Sequence, residues 1–112
     1  MQRKAHKLLW DIRAACDALR AFVAGKAFTD YQHDALLRSA VERQFEIIGE
    51  AMTQLLRINP ELEPRITESH RIIAFRNRLI HGYSDIDHEV VWQTLDIKLP
   101  LLRQQVEALL VD

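Results

Sequence analysis

Four stretches of this 112-residue chain carry apolar residues at steps of three and four, a spacing that points to packed helices. Leu8, Ile12, Ala15, Leu19 and Phe22 form the first stripe, on a helix expected from Arg3 to Ala24 and stopped by Gly25. Leu37, Val41, Phe45, Ile48, Met52 and Leu55 form the second. Thr29 or Asp30 is expected to cap that long helix, and Asn59-Pro60 ends it, because proline disfavours helical geometry in the residue before it. After a linker holding Pro60 and Pro64, a shorter helix from Thr67 to Ile80 turns Ile72, Phe75 and Leu79 inward. The last helix starts with Asp87 as its N-cap, with Ile86 and Val91 placed to pack across the cap. Val91, Leu95, Leu102, Val106 and Leu109 continue its stripe. Pro100 lacks an N–H and crowds the preceding turn, so a kink is expected near Asp96 to Leu99. No strand alternation or internal repeat competes with this pattern. The expected fold is all-α, an up-and-down four-helix bundle forming one domain over residues 1–112.

Composition narrows the class. Hydrophobic residues make up 48%, with only 3 Gly and 3 Pro, which favours a compact helical protein over a disordered one. No apolar run approaches the roughly 18–20 residues needed to cross a bilayer, so no membrane association is expected. Gln2, Arg3 and Lys4 open the chain, but no continuous apolar stretch or small-residue cleavage site follows, and a secretory signal is not expected. Cys16 is the single cysteine, so no internal disulfide can form and a reducing cytoplasm fits. Its place in a helical stripe suits a small buried hydrophobe. His6, His33, His70 and His88 show no metal-ligand spacing, so neither a metal site nor a cofactor is expected. The absence of a glycine-rich phosphate loop sets aside nucleotide hydrolases built on one.

A formal net charge of −1 lacks the basic excess usual in dedicated nucleic-acid binders. Local charge is less even. Arg65, Arg71, Arg76 and Arg78 face a single acid, Glu68, with His70 and His81 alongside, whereas Glu42, Glu46, Glu50, Glu61 and Glu63 make the middle of the chain acidic. Taken alone, such a cluster reads as a mixed solvated face. It surrounds, however, the run Arg76-Asn77-Arg78-Leu79-Ile80-His81-Gly82-Tyr83. Histidine changes charge near neutral pH and can accept and return a proton. Arginine stays charged, and its planar fork matches a phosphate. A fixed cation with an imidazole can therefore carry out metal-free phosphodiester chemistry. Five residues apart in an unbroken helix, Arg76 and His81 point to different sides. Gly82 is a typical residue just past a helix C-terminus. Unwinding near Ile80 would let His81 swing back toward Arg76, with Tyr83 emerging in the next turn.

The run resembles the Arg-x4-His-x-Tyr motif of the HEPN superfamily, and more closely that of the HepT-like toxins of bacterial and archaeal toxin–antitoxin pairs. Val41 through Ala51 is similar to that family's second-helix signature, an apolar stripe with a Glu-Ile-Ile-Gly-Glu core. Asp87 through Val91-Trp92 to Leu99-Pro100-Leu101 follows the pattern of its final segment, so the likeness covers most of the chain. The resemblance implies a metal-independent endoribonuclease with Arg76 and His81 as its catalytic pair. It also implies RNA as substrate and a MntA-like nucleotidyltransferase antitoxin as partner. One catalytic histidine per chain is too few for a separate acid and base. A two-fold homodimer uniting both motifs meets that shortage; HEPN proteins pair in this way by resemblance, which leaves room for larger hetero-oligomers.

The flanking residues allow several roles. Asn77 either orients the catalytic groups, contacts RNA through its amide, or is simply a polar surface residue. Arg78 and Arg71 suit phosphate positioning better than chemistry, with solvated surface as the equal alternative. Tyr83 can pack in the turn, stack on an RNA base, or be modified; the resemblance marks it as the acceptor of AMP from the antitoxin. Glu46 and Glu50, one turn apart, could serve acid–base or metal chemistry, but a structural or interface role is preferred. The rival to the enzyme is a noncatalytic helical HEPN module that binds a protein partner, a nucleotide or RNA. Arg76, His81 and Tyr83 occurring together favour the enzyme.

Overall fold

A computed structural model of the chain describes residues 1–111, with the side chain of Tyr83 outside the described set. Helices run over Arg3–Val23 (α1), Phe28–Gln32 (α2), Ala35–Ile58 (α3), Ser69–His81 (α4), His88–Gln93 (α5) and Leu99–Val111 (α6). Pro60–Arg65 and Tyr83–Asp85 form 3₁₀ turns, and Thr94–Lys98 is a π-turn joining α5 to α6. The described residues include no strand. None of their helices is long and apolar enough to cross a membrane.

The expected stripes build the core. Leu8, Ile12 and Leu19 of α1 and Val41, Phe45, Ile48, Met52 and Leu55 of α3 are buried, and these two helices share the most extensive contact in the bundle. α4 packs on the other flank of α3, where Phe45 and Phe75 meet edge to face at 5.1 Å. α6 closes against α1. Arg13 to Glu107 at 2.7 Å and Arg103 to Asp17 at 2.6 Å brace that seam from the solvent side. The Arg103 hydrogen bond holds the Asp17 carboxyl below its ordinary range. Cys16 is buried as expected, and burial pushes its thiol up to about 12, so it remains protonated and unreactive.

The second helix is two helices rather than one. Asp34, not Thr29 or Asp30, caps the long helix, its carboxylate accepting the Leu37 N–H at 3.0 Å. Asp30 belongs to the short α2 and accepts the Ala27 N–H at 2.8 Å. The break at His33 and Asp34 lets α2 turn Tyr31 into the core, where it is fully buried with its ring 5.4 Å from Trp92. Among the described residues, the Tyr31 hydroxyl has no hydrogen-bond partner. Burying an unpaired hydroxyl costs free energy that a phenyl ring of the same shape avoids. Tyr31→Phe is therefore expected to raise stability by about 1 kcal/mol, read as a higher urea midpoint at unchanged slope; a loss of stability would reveal a partner for the hydroxyl.

The end of the chain follows the proline argument with one refinement. Asp87 caps α5 as expected, accepting from the N–H groups of Glu89 and Val90. The disturbance ahead of Pro100 takes the form of the π-turn, in which the Leu99 N–H reaches back to the Thr94 carbonyl. Pro100 has no N–H to offer the preceding turn, and a wider turn there accommodates the missing bond.

Candidate active site

α4 presents the motif. It starts at Ser69, two residues later than expected, and runs through His81 rather than unwinding near Ile80. Gly82 receives the helix end: its N–H donates to the Arg78 carbonyl at 2.8 Å, with φ of −120°. That geometry needs no left-handed residue, so His81 stays on the helix and does not swing back toward Arg76. The two groups stand on different sides of α4, as five residues of regular helix require.

Arg76 lies along the α3–α4 seam, with its side chain only about a quarter exposed. Its Nη1 donates to the Asn77 side-chain oxygen at 3.0 Å, and its Nη2 lies 3.8 Å from the Glu50 carboxylate. The Arg76 Nε is buried and, among the described residues, has no partner. Glu50 thus faces Arg76 across the α3–α4 seam, while Glu46 pairs with Arg43 at 3.4 Å.

His81 is exposed in the last turn of α4, where it lines an open cleft of about 430 Å³ with Asn77, Arg78, Gly82 and Asp85. Arg78, Gly82 and Asp85 also border a neighbouring cleft of about 250 Å³ floored by Phe75, Leu79 and Val91. Within one chain, the fold therefore gathers His81, Asn77 and Arg78 and leaves Arg76 outside the lining of their cleft. Arg71 lies farther back on α4, 3.6 Å from Glu68 and beside Lys98, and does not line the His81 cleft. Tyr83 opens the 3₁₀ turn after Gly82; its side chain, and with it the modification-site expectation, lies outside the described residues. No group of three His, Cys, Asp or Glu residues among those described is arranged to hold a metal ion.

Two residues near the site escaped sequence reasoning. Asp85 borders both clefts, and its only signal is its place in the turn after the motif. Gly49 lies against Arg76 across the α3–α4 seam. A glycine inside a strong helical stripe was the available sign, since it weakens a helix unless packing needs it.

The family described as "Ribonuclease HepT-like" matches residues 12–109. The chain belongs to that family. It is 33% identical over 95 residues to a candidate RNase of Caldanaerobacter subterraneus subsp. tengcongensis, covering 85% of this chain and 84% of the relative. It is 32% identical over 113 residues to a "Probable ribonuclease HepT" of Thermococcus cleftensis, covering 97% and 98%. A candidate RNase of Methanocaldococcus jannaschii is 26% identical over 111 residues, covering 99% and 91%. No solved structure matches the chain with significance. Family membership makes the enzyme class that of an endoribonuclease, and the all-α bundle is the HEPN-like fold expected of a HepT-like protein.

Proposed function

We propose that this HepT-like chain is a single-domain, cytoplasmic ribonuclease toxin that cleaves RNA without a metal, at a site completed by a second copy of itself. The observation that carries this reading is the exposed His81 beside Asn77 and Arg78 over an open cleft, with the Arg76 guanidinium held at 3.0 Å by the Asn77 that lines it. A ribose 2′-OH loses its proton to His81 and attacks the adjacent phosphate. The O5′ leaving group takes a proton from the partner's His81. The products are a 2′,3′-cyclic phosphate and a 5′-hydroxyl. Arg76 stabilises the charge that builds on the phosphoryl oxygens, and Asn77 keeps its guanidinium in place. Arg78 and, farther along the helix, Arg71 are assigned to holding flanking phosphates.

Pairing lets the His81 of one chain work beside the Arg76 of the other, although the two stand apart within each chain. A two-fold axis near the end of α4 would bring both His81 residues and both Arg76 residues to one cleft, giving an acid and a base from one histidine per chain. The regulatory half of the proposal is a MntA-like nucleotidyltransferase antitoxin that silences the enzyme by transferring AMP to Tyr83, in a hetero-oligomer with the dimer.

Pairing is tested with Ser84→Cys in a Cys16→Ala background. Ser84 is exposed in the turn after the motif. A short bifunctional thiol reagent is expected to join two chains through position 84 at concentrations where the protein cleaves RNA. A dimer that resists this cross-link, and links instead through a remote surface cysteine such as Ala21→Cys, would contradict the composite site.

A further inference from the structure

Gly49 is buried in α3 facing α4. A Cβ built on it would stand 2.2 Å from the Arg76 Cβ, 2.6 Å from the Arg76 Cγ and 3.4 Å from the Ile72 carbonyl oxygen. The first two are stem atoms next to the α4 backbone, not the far end of a flexible chain, so rotating the side chain cannot relieve both contacts. The stem of Arg76 is therefore laid on bare α3 backbone. From there its guanidinium emerges beside the next α3 residue, Glu50, with its other edge held by Asn77.

Resting on the catalytic reading of Arg76 above, we propose that Gly49 is the positioning residue for that arginine. Its missing side chain sets how close α4 comes to α3, and hence where the Arg76 cation stands relative to the scissile phosphate. Moving the 2.2 Å contact out to ordinary van der Waals distance, 3.4 Å, requires the two helices to part by more than 1 Å at this point. A displacement of about 1 Å in a group aimed at a transition state costs on the order of 100-fold in rate. Alanine is the better helix former, so helix propensity alone would make Gly49→Ala stabilising; a loss of rate isolates the packing at Arg76.

The test compares Gly49→Ala, Arg76→Gly and the double variant in RNA cleavage, with circular dichroism as the folding control. Gly49→Ala is expected to lower kcat on the order of 100-fold with KM changed by less than about threefold, the signature of a contact used only in the transition state. Arg76→Gly removes the clashing Cβ, so the double variant should cleave as slowly as Arg76→Gly alone and respond equally to added guanidinium. This second comparison also decides the matter if Gly49→Ala alone does not fold. Multiplying losses, a weaker guanidinium response in the double variant, or a raised KM at unchanged kcat would overturn the positioning role. Undiminished cleavage by Arg76→Gly would instead overturn the proposed function, an outcome read from a different protein.

Discussion

His81→Ala is expected to reduce RNA cleavage by at least two orders of magnitude, and Arg76→Ala to do the same, with helical content unchanged in both. The reasons differ. His81 is exposed at the end of α4, so truncating it removes a proton acceptor without opening a cavity. Arg76 packs on α3, so its truncation also removes contacts with Gly49 and Glu50 and should cost some stability. The cleavage assay is therefore run well below the unfolding transition of each variant. Full activity in His81→Ala, once contaminating nuclease is excluded, would remove the imidazole from the mechanism.

Tyr83→Phe is expected to leave cleavage intact and abolish silencing. Wild-type protein co-expressed with its nucleotidyltransferase should gain AMP mass and permit growth, while Tyr83→Phe should stay unmodified and toxic. Tyr83 begins the turn one residue beyond Gly82, which itself lines the His81 cleft. A phosphate-linked nucleotide there would bring negative charge and bulk to the place where RNA phosphate is to bind. The other tyrosine makes the assignment sharper. Tyr31 is 0% exposed in the core, so a transferase cannot reach it in the folded protein. AMP mapped to Tyr31, or a Tyr83→Phe protein silenced by complex formation alone, would defeat the modification proposal. A noncatalytic binding module predicts neither toxicity nor a mass shift.

Periodicity made most of the helices readable, because the stripes through Leu8 to Phe22, Leu37 to Leu55 and Val91 to Leu109 each match one face packed on the core. The break at His33 and Asp34 was not readable from the same signal. It depends on Tyr31 meeting Trp92, more than 60 residues away in sequence, and only the folded bundle brings them together. The motif's residue types pointed to phosphodiester chemistry, but their arrangement was harder to foresee. Gly82 suggested an early unwinding, yet it ends the helix at a negative φ after His81. The regular helix then keeps Arg76 and His81 apart within one chain. The role of Gly49 depends on α4 lying across it, a contact that the local sequence does not encode.

Metal-free cleavage by Arg76 and His81 is tested by digesting a labelled RNA in excess EDTA and identifying the product ends. Full activity in EDTA, 2′,3′-cyclic phosphate and 5′-hydroxyl ends, and loss of both products in His81→Ala are expected. Activity abolished by EDTA and restored by a divalent cation, with 3′-hydroxyl and 5′-phosphate ends, would contradict it.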